Sequence, residues 1–302
     1  MTKVLGRRAV LQAMGYGVGV LALPGCGGAT IVPGRAAWAT GGTAVMKGGY
    51  ADPFASGIGA TCKLTCSATI GPCYAKTISR KDISEGQPGL PVRLAFLVLD
   101  EQCRPIPHAS VDIWHAGPAG MYSGDDGEPM CTMDDPKALA ARWFRGVQKT
   151  DAKGRVDFDT CFPGWYHGRT IHVHFIVTTT DGHTVTSQLF FDDGLVDAIV
   201  AKEPGYDTRG LRDTNNTNDG VIGKDEVADY LFTTSRQHDG AMLAAKAIIL
   251  QTHGEVCETK GGEGGPPGPG GFPPGGPPDG PGGHHHGPPP KGPPSKGDAG
   301  AS

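Results

Sequence analysis

Apolar residues recur through the middle of the chain in short runs, most of them separated by Gly, Asp or Pro turns. Residues 92–99 (VRLAFLVL) form a continuous apolar run of strand length, and 110–114, 155–158, 171–178 and 184–191 follow as further strands. Residues 136–144 (PKALAARWF) predict a helix. Residues 241–250 have helical composition but lie where a last core strand would fit, so both readings stay open. Short strands in series predict an all-β fold, a sandwich or a barrel. No internal repeat is visible.

One of these strands carries chemistry. In Arg169-Thr170-Ile171-His172-Val173-His174-Phe175, apolar and polar residues alternate with period 2. Residues two apart on a strand share a face, so the imidazoles of His172 and His174 project side by side. Two adjacent imidazoles are half of a metal site, the plainer alternative being satisfied core histidines. Tyr166 lies just upstream in a Pro-Gly turn, and Tyr122 lies in Gly120-Met121-Tyr122-Ser123, after the strand ending in Trp114. Neither tyrosine belongs to an apolar periodic run.

Two imidazoles and two phenolates narrow the choice of metal. Carboxylates and waters suit Mg²⁺, Ca²⁺ or Mn²⁺, and thiolates with imidazoles suit Zn²⁺ or Cu. Phenolate is a hard, strongly donating anion that favours Fe(III). The facial triad of Fe(II) oxygenases needs a carboxylate, and the motif here is H-x-H. A ferric Lewis acid is suited to binding an ortho-diphenol and activating it toward O₂.

The ends of the 302-residue chain change the picture of its organisation. Arg7-Arg8 precede a Gly- and Ala-rich apolar run, which reads 1–39 as a twin-arginine-type export signal. That run is too short to span a bilayer comfortably. Ala37-Trp38-Ala39 is an A-x-A cleavage signature, whereas Leu23-Pro24-Gly25-Cys26 resembles a lipoprotein box whose proline disfavours a lipid anchor at Cys26. Residues 40–60 form a Gly-rich arm, 61–258 the folded domain and 259–302 a Gly/Pro-rich tail expected to be disordered, with three consecutive histidines at 284–286. Removing Lys3, Arg7, Arg8 and Arg35 with the signal leaves 23 of the 27 basic residues against 31 acidic ones. A net charge near −8 argues against nucleic acid or an anionic membrane as partner. The expected location is periplasmic or extracellular.

Beyond Cys26, seven cysteines remain, which in an exported protein read mostly as disulfides with one left over. Cys161, in an apolar strand-like segment, is the expected buried free thiol; the pairing of the others stays open. A zinc site at Cys62/Cys66 lacks a matching second pair. Asn215, Thr217, Asp219, Gly220 and Glu226 are spaced like a Ca²⁺ loop, but with Asn first and few flanking helical residues a polar turn reads better. His115 is open between a place behind the metal ligands and a simple strand end.

Residues 71–193 resemble the intradiol ring-cleavage dioxygenases, close to their exported, protocatechuate dioxygenase-like members. The resemblance rests on Gly71-Pro72-Cys73-Tyr74, Asp112-Ile113-Trp114-His115-Ala116, Gly120-Met121-Tyr122-Ser123 and the segment from Phe144-Arg145-Gly146 to Asp151. It continues through Phe162-Pro163-Gly164-Trp165-Tyr166, Gly168-Arg169 to Phe175, and Thr186 to Phe191. Each segment is weak alone, but their order and spacing are specific. The resemblance implies an immunoglobulin-like or transthyretin-like β-sandwich with long loops and short helices. It implies Fe(III) held by Tyr122, Tyr166, His172 and His174, with a catecholic substrate displacing Tyr166, which can take up a substrate proton. Arg169 would stabilise negative charge developing on the ring, Gln188 would be a polar pocket residue and Tyr74 a pocket-wall aromatic. The implied partners are a catechol and O₂, and the implied product is a cis,cis-muconate-type dicarboxylate; a homo-oligomer is compatible with the reading. The export signal, the Gly/Pro tail and Cys161 in a place where an aliphatic residue is common depart from the well-studied members. Rival readings are a non-catalytic sandwich that binds catecholates or polymers and a structural surface protein.

Overall fold

The computed structural model describes residues 37–58 and 62–261. Residues 1–36, with Cys26 and most of the expected 1–39 export signal, and the tail from residue 262 lie outside the described residues.

Among the described residues eight strands form two four-stranded sheets, a mostly β architecture with few helices. The first sheet has the order β4-β1-β8-β7, from β4 (Arg155–Cys161), β1 (Pro91–Asp100), β8 (Met242–Leu250) and β7 (Thr233–Arg236). The second has the order β3-β2-β5-β6, from β3 (Arg145–Lys149), β2 (Ser110–Trp114), β5 (His172–Thr178) and β6 (Thr184–Phe190), all antiparallel. Alternate residues of the two sheets meet in one core: Leu94, Phe96 and Val98 from β1 face Val111 and Ile113 of β2 and Val173, Phe175 and Val177 of β5. Of the sandwich and the barrel that the strand pattern leaves open, the chain builds the sandwich that the resemblance implies.

Residues 241–250 are a strand: β8 lies beside β1, parallel to it, with Val92 opposite Met242 and Asp100 opposite Leu250. Their helix-like composition comes from alanines that the location demands. Ala245, on the outer side of the sheet, packs with Ala95 and Leu243 under Tyr50 and Phe54 of the Gly-rich arm. The predicted helix over 136–144 contracts to α2 (Pro136–Ala140), which follows a single turn, α1 (Pro129–Thr132). The Asp135 carboxylate caps α2 by accepting from the amides of Lys137 and Ala138, and Ala141 is already extended. Phe144 then takes a positive φ of 56°, and its amide donates to the Ile83 carbonyl. Its apolar ring is used by a buried turn rather than by a helix face. The longest helix, α3 (Asp193–Lys202), follows β6; the Asp192 carboxylate caps it and Val196, Ile199 and Val200 are buried.

Among the described residues three disulfides join Cys62 to Cys103, Cys66 to Cys257 and Cys73 to Cys131, leaving Cys161 as the buried free thiol. The zinc alternative at Cys62/Cys66 falls, since each is bonded to a different distant cysteine.

Candidate metal centre

The second sheet places four side chains in one line across its strands. Arg145 of β3 is opposite Trp114 of β2, Trp114 is opposite His174 of β5, and His174 is opposite Gln188 of β6. All four point away from the inter-sheet core, because their strand neighbours Ile113, Val173, Phe175 and Leu189 point into it. All four are nevertheless buried, since loops cover this face. The Trp114 indole lies flat on the His174 imidazole, with centroids 4.9 Å apart and planes 7° from parallel. His172, two residues back, stands beside His174 on the same face.

The covering loops deliver the two tyrosines. After β2 the chain turns at Gly120, whose φ is 74° and where a Cβ would collide with the Trp165 carbonyl, so glycine is required there. Tyr122 follows, its amide donating to the Cys131 carbonyl at 2.9 Å, next to the disulfide from Cys131 to Cys73. The Pro163-Gly164 turn is tied to the first loop by the Gly164 amide, which donates to the Gly117 carbonyl at 3.0 Å. It brings Tyr166 down beside Tyr122. Tyr122 is buried, whereas Tyr166 is half-buried at the surface of the cluster.

Four donor atoms meet there. The His172 Nε2 lies 3.0 Å from the His174 Nε2, 3.2 Å from the Tyr122 hydroxyl and 3.2 Å from the Tyr166 hydroxyl; the two hydroxyls are 3.3 Å apart. Such spacings match those of donors sharing one first-row metal ion at about 2 Å. The His172 Nδ1 is 2.6 Å from the Thr170 carbonyl, which can only accept, so the proton sits on Nδ1 and Nε2 presents a lone pair. Burial pushes both imidazoles well below the ordinary histidine range, keeping them neutral, and pushes the Tyr122 and Tyr166 phenols up. Neutral imidazoles and two phenols that ionise only against a positive charge are a donor set that fits a hard, highly charged cation. Among the described residues no group of three or more His, Cys, Asp or Glu could hold a metal, so an ion here needs the phenols.

Arg169 lies against this cluster and is buried. Its Nε donates to the Asp219 Oδ2 at 2.9 Å, its Nη2 donates to the Gln188 Oε1, and its Nη1 lies 3.5 Å from the His172 Nε2. Gln188 is held in turn by its Nε2, which donates to the Thr69 carbonyl at 3.0 Å. Asp219 also accepts the Thr170 amide at 2.7 Å, and the Thr170 hydroxyl donates to Asn216 at 2.8 Å. The segment spaced like a Ca²⁺ loop is thus a polar turn, and it clasps the start of β5 through Asp219 and Asn216. Asp219 is the residue that sequence reasoning did not assign to the site. Its only signal was a run of short polar side chains 50 positions from the arginine it holds.

The remaining candidates sit further back. Tyr74 is half-buried, packs edge-on against Trp114 with centroids 4.9 Å apart, and donates to the Asp112 Oδ2 at 3.1 Å. It meets the centre through Trp114. His115 points the other way: its Nε2 is 2.8 Å from the Thr160 hydroxyl of β4 and its ring stacks on Phe144, so it links the two sheets. Arg145 donates through Nε to the Ser123 carbonyl and through Nη2 to the Cys73 carbonyl, both at 2.7 Å, with its guanidinium 5.8 Å from the Tyr122 ring centre.

Comparison with known proteins agrees with this geometry. The dioxygenase family model matches residues 69–229, just over half of the chain. Catechol 1,2-dioxygenase 1 of Acinetobacter lwoffii is 27% identical over 150 residues, 44% of this chain and 45% of its own. Catechol 1,2-dioxygenase 2 of the same organism is 26% identical over 173 residues, 44% of this chain and 58% of its own. The chain thus spans about half the length of these curated relatives. The solved intradiol ring-cleavage dioxygenase from Tetranychus urticae is 27% identical with a TM-score of 0.56, covering 64% of this chain and 98% of that one. By its family match, its sandwich and this structural likeness, the chain belongs to the intradiol ring-cleavage dioxygenase family.

Proposed function

We propose that the protein is an Fe(III)-dependent intradiol dioxygenase that opens a catecholic ring between its two hydroxyl-bearing carbons, using O₂, to give a cis,cis-muconate-type dicarboxylate. The observation that carries this reading is the convergence of the Tyr122, Tyr166, His172 and His174 donor atoms on one buried point beside Arg169. These four side chains would hold the iron. Bound ferric iron supplies a Lewis acid that fixes a catechol dianion and activates it toward O₂.

The protein residues divide the remaining work. Tyr122, buried and tied to the Cys131 carbonyl, is the oxygen donor that stays in place. Tyr166, half-buried on a turn, is the one that yields to substrate; its phenol oxygen then takes up a proton from an incoming catechol hydroxyl. Arg169 is a fixed cation in a water-poor site, where it stabilises negative charge that grows on the ring. The Asp219 and Gln188 contacts hold its guanidinium in one orientation. The Trp114 face keeps the His174 ring from rotating.

The substrate class follows from the two adjacent hydroxyls that such a centre binds, and catechol in the names of the Acinetobacter relatives agrees with it. The twin-arginine pattern read in residues 1–39 supports a reaction outside the cytoplasm. The test is a panel of catechols, including protocatechuate, hydroxyquinol and lignin-derived members, offered to the iron-loaded protein. Oxygen uptake with loss of aromatic absorbance and formation of a ring-opened diacid is the expected result. An iron-loaded protein that binds catechols and consumes no O₂ with any of them would overturn the enzymatic reading in favour of catecholate binding.

A further inference from the structure

The two tyrosines of the centre are held by contacts of very different kinds. Tyr122 is buried, its amide donates to the Cys131 carbonyl, and Cys131 is bonded to Cys73. Tyr166 is half-buried at the start of a turn that closes on one long hydrogen bond, 3.4 Å from the Arg169 amide to the Tyr166 carbonyl. What steadies that turn comes from elsewhere in the chain.

Segment 207–213, which follows α3, grips the turn at two points. Arg209, at the end of a single 3-10 turn (Asp207–Arg209), donates through Nη1 to the Trp165 carbonyl. Its guanidinium lies 4.7 Å from the centre of the Trp165 ring. The same Nη1 occupies the space that a Cβ on Gly120 would take, so Arg209 also abuts the loop that carries Tyr122. At the tip of the turn, the Asp213 carboxylate accepts from the His167 Nδ1 at 2.7 Å and from the Gly168 amide at 3.3 Å. Between the two grips, Arg212 fastens the segment to α3. Its Nη1 pairs with the Asp193 carboxylate and its Nε with the Asp197 carboxylate, both at 2.8 Å, and its side chain is only 6% exposed. The segment thus has a firm base on α3.

Its hold on the tyrosine turn is lighter. His167 and Asp213 are exposed, where an ion pair contributes little, and Arg209 offers one hydrogen bond and a ring contact. Parts of a fold that move in function are drawn from its less stably held regions. Substrate reaches the centre by taking the place of Tyr166. Whatever steadies the turn with Tyr166 in place therefore subtracts from the apparent affinity for substrate.

We propose that segment 207–213 is a clasp that sets how readily Tyr166 yields to substrate, through the grip of Arg209 on Trp165 and of Asp213 on His167 and Gly168. Both are positioning residues that act through the turn. The inference rests on the reading of Tyr166 as the side chain that a catechol displaces.

The test is an anaerobic titration of the iron-loaded protein with catechol, followed by its visible spectrum, in wild type, Arg209→Met and Asp213→Ala. Arg209→Met keeps the length of the side chain without a donor, and Asp213→Ala removes the acceptor at the tip. Each is expected to hold its iron and to bind catechol more tightly by roughly 2–10-fold, the net worth of one hydrogen bond. A general loosening of the site would weaken binding instead, so the sign separates a clasp from a merely structural role. Unchanged or weaker binding in either variant, or loss of iron from either, overturns the proposal. A wild-type protein that takes up iron and shows no response to catechol refutes instead the dioxygenase reading beneath it.

Discussion

Arg169 shows how much of the site depends on groups that touch no substrate. Its charge is buried, and Asp219 is what makes burial tolerable; the same carboxylate also accepts the Thr170 amide at the start of β5. Removing one partner of a buried ion pair costs roughly 3–5 kcal/mol because the other charge is stranded. Asp219→Asn is therefore expected to lower stability by that order and to reduce turnover more than substrate binding, measured by chemical denaturation and by kcat against KM. Unchanged stability would mean that Asn216 and Gln188 alone hold the segment. The histidine pair was legible from sequence because strand periodicity alone puts His172 and His174 on one face. Asp219 was not, because its link to Arg169 crosses from one loop to another and leaves no period in the chain. Tyr74 shows a different limit: no period in the chain reveals that its hydroxyl donates to Asp112 or that its ring packs on Trp114.

Among elements, the second sheet is a platform and the loops above it complete the site. The strand pattern located β1, β2, β4, β5 and β6, because alternation and apolar runs record which face is buried. It missed β3 and β7, whose residues are mostly polar or half exposed, and it left β8 open because alanine suits a helix as well as a crowded sheet. The Cys73–Cys131 disulfide joins the Tyr74 loop to the segment whose Cys131 carbonyl receives the Tyr122 amide. Replacing both cysteines by serine is expected to leave circular dichroism unchanged while lowering iron retention about tenfold. The same replacement at Cys62 and Cys103, whose bridge ties the segment before Cys66 to the turn after β1, is expected to leave iron retention unchanged. Equal losses from both pairs would show a general stability effect. His115 couples the sheets, and burial lowers its pKa from 6.5 to about 4. The depressed value means that its contribution is fully present above pH 6.5 and is lost as pH falls toward 4, an effect of about 3 kcal/mol at one pKa unit per 1.36 kcal/mol. Melting curves of His115→Gln should therefore lose less stability than wild type between pH 7 and pH 4. Parallel losses in the two proteins would contradict this.

At the scale of the whole molecule, the Gly-rich arm is part of the described fold. The Tyr50 hydroxyl and the Lys47 amide both donate to Asp239, and Tyr50 and Phe54 cover Ala95, Leu243 and Ala245 on the outer side of the first sheet. Trp38 and Ala39, which the sequence reading puts at the end of the expected export signal, lie against the same fold: Trp38 packs on the core, and the Ala39 amide donates to the Gly240 carbonyl at 2.8 Å. Composition hid this, since glycines at positive φ let the arm follow the sheet while a few aromatic residues do the packing. Replacing Tyr50 and Phe54 together by alanine is expected to cost about 2–4 kcal/mol, the range for large-to-small changes at partly covered sites, without altering the centre. A shift in the visible spectrum of that variant would contradict the separation of arm and site. The most direct test of the whole reading is the metal itself. Protein purified with iron supplied should hold roughly one ferric ion per chain and absorb visible light as ferric phenolates do, and Tyr122→Phe should lose both iron and colour. A protein that stays colourless and iron-free after reconstitution, or a Tyr122→Phe variant that keeps the wild-type band, would contradict it.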